Sequence, residues 1–155
     1  AIHTIGEAAG IRGMVGGQVV DLEWEGKNAD PDILKYIHEH KTAALIIASL
    51  MAGVILEDPP RSIHDAVYDY GRCLGLAFQI TDDILDIVGD PDKLGKNTER
   101  DVKKHKATYV QLYGIEQSKK IAVELVEKAI DSLSQFGHKA SFLKELAYFI
   151  IQRQN

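Results

Sequence analysis

The stretch Phe78-Gln79-Ile80-Thr81-Asp82-Asp83-Ile84-Leu85-Asp86-Ile87-Val88 admits few structures. Its period is that of a helix. At about 100° per residue, Gln79, Asp82, Asp83, Asp86 and Asp90 share roughly a third of the circumference. Leu76, Ala77, Phe78, Ile80, Ile84, Leu85, Ile87 and Val88 fill nearly all the rest. A surface helix carries one apolar stripe and a broad polar face. Here the proportions are reversed, so the helix is expected to be buried with its acids turned towards an internal cavity. A solvated acidic face is the competing reading, but so apolar a helix leaves no solvent side. Carboxylates held this close repel one another and are costly to bury unpaired. A divalent cation resolves that cost, and all-oxygen ligation suits Mg²⁺.

The rest of the chain also reads as helix, which makes the class all-α with helices long enough for a bundle. Residues 2–24 form the first helix, although Gly6, Gly10, Gly13, Gly16 and Gly17 give it poor intrinsic propensity. These glycines read as sites where another backbone packs closely. A phosphate loop would need a preceding strand, and none is present. Asp30 caps a short helix with Pro31 at its first position, running to His40. A break near His40-Lys41 leads into an apolar helix over 42–56, stopped by Asp58-Pro59-Pro60. Ser62 caps the central helix over 62–89. Further helices are expected over 99–113, 116–136 and 139–153, punctuated by Gly114 and Gly137.

Length and composition bound the function. A chain of 155 residues supports one domain with a core. Its net charge of −5 makes nonspecific nucleic-acid binding an unsuitable role. The single Cys73 allows no internal disulfide, fits a reducing cytoplasm, and reads as a small core residue. The apolar run from Thr42 to Leu56 is shorter than the roughly 20 residues of a bilayer span, so stable membrane insertion is not expected. The six histidines show no shared ligand spacing and read as structural or surface residues.

Several polar residues gather meaning beside the acid stripe. Lys41-Thr42 opens an apolar helix, where free N–H groups and the helix dipole favour an anion. Leu94-Gly95-Lys96 lies a short loop beyond the stripe, with Asp101 and Lys106 following. Gln18 and Asp21, three residues apart, are candidates to hold metal-bound water or line the cavity. Acids and lysines around one cavity suit an anionic, metal-bound ligand, and phosphate or diphosphate fits best.

Taken together, these residues resemble the trans-prenyl diphosphate synthases, most closely the bacterial farnesyl and geranylgeranyl diphosphate synthases. The blocks occur in order: Gly13-Met14-Val15-Gly16-Gly17-Gln18-Val19-Val20-Asp21, then His40-Lys41-Thr42-Ala43-Ala44-Leu45, then Gly75 to Asp86. Leu94-Gly95-Lys96, Asp101, Lys106-Ala107-Thr108-Tyr109 and Tyr148-Phe149-Ile150-Ile151-Gln152-Arg153 complete them. The resemblance implies the C-terminal half of an isoprenoid-synthase-type bundle. It also implies Mg²⁺-dependent head-to-tail condensation of isopentenyl diphosphate with an allylic diphosphate. Two aspartate-rich motifs on facing helices would hold three Mg²⁺ between them. By the same resemblance Asp82 is a direct metal ligand, and Asp83 and Asp86 are further ligands or holders of metal-bound water. Lys41 and Lys96 contact diphosphate, with Thr42 and Gln79 near the reacting end. Lys106 is a further phosphate contact, and Asp101 is a holder of metal-bound water.

One departure is large. The first aspartate-rich motif and the basic residues that hold isopentenyl diphosphate are missing, and Asp82-Asp83 is the chain's only Asp-Asp pair. Residues 1–155 are therefore expected to be the C-terminal portion of a longer protein, homodimeric when full length. Alone they are expected to be inactive and to expose large apolar faces. The alternative is a non-catalytic regulatory or partner subunit of a heteromeric synthase, which would be expected to have lost the lysines and aspartates retained here.

Overall fold

The computed structural model describes residues 1–27, 30–88 and 108–153. Among the described residues every regular element is helical. In chain order these are α1 (Ile2–Ala9), α2 (Met14–Glu23), α3 (Pro31–His38), a π-helical turn (Glu39–Ala43) and α4 (Ala44–Glu57). They continue with α5 (Arg61–Val88), α6 (Tyr109–Tyr113), α7 (Ile115–Ser132), a 3₁₀ segment (Ser134–Ala140) and α8 (Ser141–Gln152).

The sequence punctuation explains most boundaries. The Asp30 carboxylate accepts from the Ile33 N–H at 2.9 Å, and Pro31 follows it. Asp58 ends α4 in the left-handed region at φ 45°, and Pro59-Pro60 prevents continuation. The Thr108 hydroxyl caps α6 by accepting from the Gln111 N–H at 3.2 Å. Gly114 and Gly137, at φ 76° and 56°, supply the remaining corners.

Three expected boundaries are corrected. The helix over 2–24 is two helices, because the glycine-rich stretch turns between Ala9 and Met14. The central helix begins at Arg61, so Ser62 lies inside its first turn rather than at its cap. The break at His40-Lys41 is absent: the π turn joins α3 to α4 in one helix from Pro31 to Glu57. That helix is long and apolar enough, by length and composition, to cross a bilayer, unlike the shorter run read from sequence. Its N-terminal half carries Asp32, Lys35, Glu39 and Lys41, and its apolar α4 portion packs against α1 and α5.

α5 is the axis of the fold. Tyr70, Cys73, Leu74 and Ala77 pack with Val126, Ala129 and Leu133 around α7, and with Ala147 and Ile150 of α8. Further along, Leu76, Ile80 and Ile84 meet Leu34 of α3, Tyr109 and Val110 of α6, and Ala122 of α7. Cys73 is buried in the first cluster, as its reading as a core residue requires. The Tyr70 hydroxyl donates to the Leu143 carbonyl at 2.7 Å and ties α5 to α8.

Two glycines seat the π turn. A Cβ on Gly17 would lie 2.3 Å from the Lys41 nitrogen, and one on Gly75 would lie 2.5 Å from the Ala43 Cβ. The turn is thus held between α2 and α5 with no room for a methyl on either side. Close packing accounts for Gly17, whereas Gly6 faces open space. The remaining flank is unusually apolar: Ile2, Ile5, Ile11, Met14, Val15, Val19 and Leu22 are exposed, as are Phe142 and Phe149 of α8. The expected apolar faces are present.

Candidate functional site

Of the polar residues singled out from the sequence, Lys41, Thr42, Gln79 and Asp21 meet where the π turn crosses α5. One extra residue per turn is what a π turn adds to a helix, and such turns commonly mark functional positions. Lys41 and Thr42 lie within it. Their anion-binding capacity therefore rests on an ammonium and a hydroxyl, not on the free amides of a helix end. The Lys41 ammonium donates to Asp21 of α2 at 2.7 Å, with both side chains partly exposed. Gln18 lies one turn earlier on α2, half-buried. The Thr42 hydroxyl donates to the Gln79 side-chain oxygen at 2.9 Å, which connects the π turn to the acid stripe.

The stripe itself divides. Successive residues on a helix are about 100° apart, so Asp82 and Asp83 face different neighbours. Asp82, half-buried, faces α8 and is hydrogen-bonded by the Arg153 guanidinium. Arg153 also donates to the Phe78 carbonyl at 3.2 Å and lies 4.2 Å above the Phe78 ring centre. Asp83 turns the other way and is buried. One of its oxygens accepts the Tyr109 N–H at 3.1 Å and the other accepts from the Gln79 amide at 3.5 Å. Asp86 is exposed one turn beyond Asp82. The three acids expected to line one cavity are thus distributed over the two flanks and the open edge of α5. Lys96, Asp101, Lys106 and Asp90 lie outside the described residues, as does residues 99–107 of the helix expected over 99–113.

Burial dominates the electrostatics behind the stripe. It pushes the Asp83 carboxyl up to about 7, with the charges of Asp86 and Asp82 adding to the effect and the Tyr109 and Gln79 hydrogen bonds opposing it. Burial likewise pulls His38 down to about 3, with Asp21 opposing and Lys41 assisting. His38 Nε2 lies 3.8 Å from Asp83, too long for a hydrogen bond. With both groups driven towards their neutral forms, the contact is not an ion pair of any strength. The His38 ring stacks on Tyr109 at 5.4 Å between centroids, and its Nδ1 has no hydrogen-bond partner among the described residues. His38 is therefore structural, as the absence of ligand spacing suggested, yet it backs the stripe directly. In the sequence Arg153 stands only as the last residue of the Tyr148–Arg153 block. Its contact with Asp82 spans 71 residues, and no local pattern encodes it.

The donor set suits a hard cation in part. Asp82 and Asp86 sit about 40° apart on one face and offer oxygen ligands of the kind Mg²⁺ takes. Among the described residues no group of three or more His, Cys, Asp or Glu side chains converges to hold a metal. These two carboxylates could supply only one side of a coordination shell, which water, diphosphate oxygens or further carboxylates would have to complete.

Comparison with known proteins agrees with this arrangement. Residues 4–146 match the polyprenyl synthetase family. Farnesyl diphosphate synthase of Escherichia coli is 44% identical over 156 residues, covering 98% of this chain and 52% of the relative. Geranylgeranyl diphosphate synthase of Cyanophora paradoxa is 42% identical over 144 residues, covering 92% of this chain and 48% of the relative. A crystal structure of geranyltransferase from Helicobacter pylori, complexed with magnesium and isoprenyl diphosphate, superposes with a TM-score of 0.78 at 30% identity. It covers 97% of this chain and 49% of that one. The chain spans about half the length of the relatives it matches. Matching order of motifs, matching helices and a family match over nearly the whole sequence place this chain in the polyprenyl synthetase family.

Proposed function

We propose that the full-length protein is a prenyltransferase of isoprenoid biosynthesis. It would condense isopentenyl diphosphate head-to-tail with an allylic diphosphate to give farnesyl or geranylgeranyl diphosphate. The observation that carries this reading is the hydrogen bond from Thr42 of the π turn to Gln79 of α5, with Lys41 on the same turn and Asp82 three residues beyond Gln79 on α5. The magnesium and isoprenyl diphosphate named in the Helicobacter pylori structure support the choice of metal and ligand.

Asp82 and Asp86 are the residues that would hold Mg²⁺ on this side, and Asp83 backs them from the interior. Bound there, Mg²⁺ supplies Lewis-acid stabilisation of negative charge on the diphosphate leaving group. Lys41 adds an ammonium for the diphosphate and exchanges its Asp21 partner to do so. Thr42 and Gln79 orient the reacting end. As the allylic C–O bond ionises, fixed positive charge favours the developing anion more than the intact substrate, which is the condition for lowering the barrier. The allylic cation then alkylates the double bond of isopentenyl diphosphate, and a proton leaves. Lys96, Lys106 and Asp101 complete the proposed diphosphate and water contacts.

The other half of the bundle would carry the facing aspartate-rich motif, so that three Mg²⁺ share two acidic faces. The full-length protein is proposed to be a cytoplasmic homodimer with no nucleic-acid partner and no stable membrane insertion. Residues 1–155 alone are proposed to be inactive, because the facing acidic face is absent from them.

Turnover of dimethylallyl or geranyl diphosphate with isopentenyl diphosphate, followed by mass spectrometry of the products, tests the reading. Asp82→Ala in the full-length protein should lower kcat by about 100-fold or more, the size of losing a main electrostatic contributor. Near-normal turnover by that variant would remove Asp82 from the site.

A further inference from the structure

We infer that Asp83 is a positioning residue rather than a metal ligand, fastening α6 and Gln79 to α5 and so fixing the direction in which Asp82 and Asp86 face. The inference rests on the prenyltransferase reading and assigns Asp83 a role within the same site.

Among the described residues, both Asp83 oxygens already accept from protein donors. One oxygen takes the Tyr109 N–H at 3.1 Å, and the other takes the Gln79 amide at 3.5 Å. The His38 ring stands 3.8 Å away on the first oxygen's side and stacks on Tyr109 in turn. The residue is 6% exposed, whereas its neighbour Asp82 is accessible and Asp86 is open to solvent. Turning the carboxyl towards the flank that Asp82 faces would take it away from the Tyr109 N–H, a costly exchange for a buried donor.

The same contacts say what Asp83 does. Tyr109 is the first residue of α6, which packs against α5. A single carboxyl therefore joins α5 to α6 and abuts α3 through His38. Through Gln79, whose oxygen accepts from Thr42, it also reaches the π turn. With one flank of α5 clamped this way, rotation of the helix about its axis is blocked, and Asp82, about 100° round, is held towards α8.

The test compares Asp82→Asn, Asp83→Asn and Asp83→Leu in the full-length protein. Mn²⁺ affinity is measured by electron paramagnetic resonance with inorganic diphosphate present. Amide exchange of residues 108–113 and turnover are followed in parallel. Asp83→Asn keeps an acceptor for the Tyr109 N–H. It should bind Mn²⁺ within about twofold of wild type and retain exchange protection at Tyr109, while Asp82→Asn should lose Mn²⁺ affinity by at least tenfold. Asp83→Leu keeps approximate volume without the acceptor. It should lose the protection and at least tenfold in kcat, with Asp83→Asn recovering most of both. If Asp83→Leu does not fold, Asp83→Asn decides the matter alone through Mn²⁺ affinity and exchange. Loss of Mn²⁺ by Asp83→Asn equal to that of Asp82→Asn would make Asp83 a ligand and overturn the inference, with the enzyme reading intact. Unchanged exchange and turnover in Asp83→Leu would overturn it as well. Wild-type Mn²⁺ binding and turnover by Asp82→Asn would instead overturn the metal reading itself.

Discussion

Gly75→Ala separates the geometry of the site from the stability of the fold. The added Cβ would lie 2.5 Å from the Ala43 Cβ and 2.7 Å from its Cα. Ordinary carbon–carbon contact is about 3.5–4.0 Å, so α5 and the π turn must part by about 1 Å. Ala43 is fully buried and the clash is with backbone, so no side-chain rotation relieves it. Overpacking of this kind costs about 1–3 kcal/mol. The gain in helix propensity from Gly to Ala returns about 1 kcal/mol, leaving a net loss of about 0–2 kcal/mol. A domain stable by about 5–15 kcal/mol stays almost wholly folded after such a loss. Lys41 and Thr42, which directly precede Ala43 on the same turn, would nonetheless shift by about 1 Å, a displacement that can lower catalysis about 100-fold. Steady-state kcat/KM and urea midpoints on the full-length protein measure the two effects separately. Gly53→Ala is the control: Gly53 is exposed in α4 with nothing within 4 Å of the added carbon, so it should gain about 0.5–1 kcal/mol without moving the turn. If Gly75→Ala keeps kcat/KM within threefold of wild type, or loses activity only in proportion to the unfolded fraction, the seating argument is refuted.

Two further predictions concern the flanks of α5. Arg153 neutralises the Asp82 carboxylate, so Arg153→Gln should tighten Mn²⁺ binding about three- to tenfold, the size of a partly exposed ion pair that the cation no longer displaces. Titration calorimetry checks this, and weaker binding in the variant would show that Arg153 assists the metal rather than competing with it. On the other flank, Asp83 holds a proton up to about 7 in the folded state against an ordinary 3.8, so its contribution to stability falls as pH rises through that window. His38, held at about 3 against 6.5, acts in the opposite sense: its contribution is present above 6.5 and is lost as pH falls towards 3. The slopes oppose each other over their shared range, and His38→Phe should expose a decline in stability between about pH 4 and 7. Urea midpoints at several pH values measure it, and a rising profile in the variant would contradict the assignment.

Most helices were legible because the 3.6-residue period and its punctuation agree. Asp30-Pro31, Asp58-Pro59-Pro60 and Gly114 each end or begin an element where the structure does, whereas the helix expected over 116–136 ends at Ser132 and Gly137 is a kink inside the 3₁₀ segment that follows. The join across Glu39–Ala43 was not legible. His40-Lys41 reads as a break between a short helix and an apolar one, yet the π turn carries both residues into a site packed between Gly17 and Gly75. The glycine-rich opening failed in the reverse direction: its period suggested one helix, and weak propensity let the chain turn between Ala9 and Met14. Within the site, residue types were legible but orientations were not. Periodicity places Asp82 and Asp83 on adjoining lines of α5, while the identity of the neighbour on each line is a tertiary fact supplied by Tyr109 and Arg153.

Those two neighbours change what an acidic stripe means energetically. Three carboxylates on one helix repel unless each is compensated, and here the compensation differs at each position. The charge on Asp82 is balanced by a guanidinium, a partner that a cation can replace. Burial disfavours the charge on Asp83, and the Tyr109 backbone N–H fixes its carboxyl in place. Asp86 is exposed, where solvent weakens its repulsion for the others. Displacing Arg153 need not release it, because the Phe78 carbonyl and ring already hold the guanidinium on their own. A cation arriving at Asp82 would therefore change one contact on one flank while the opposite flank stays clamped. That is the arrangement a binding face needs if it is to accept and release metal without unpacking the helix that carries it.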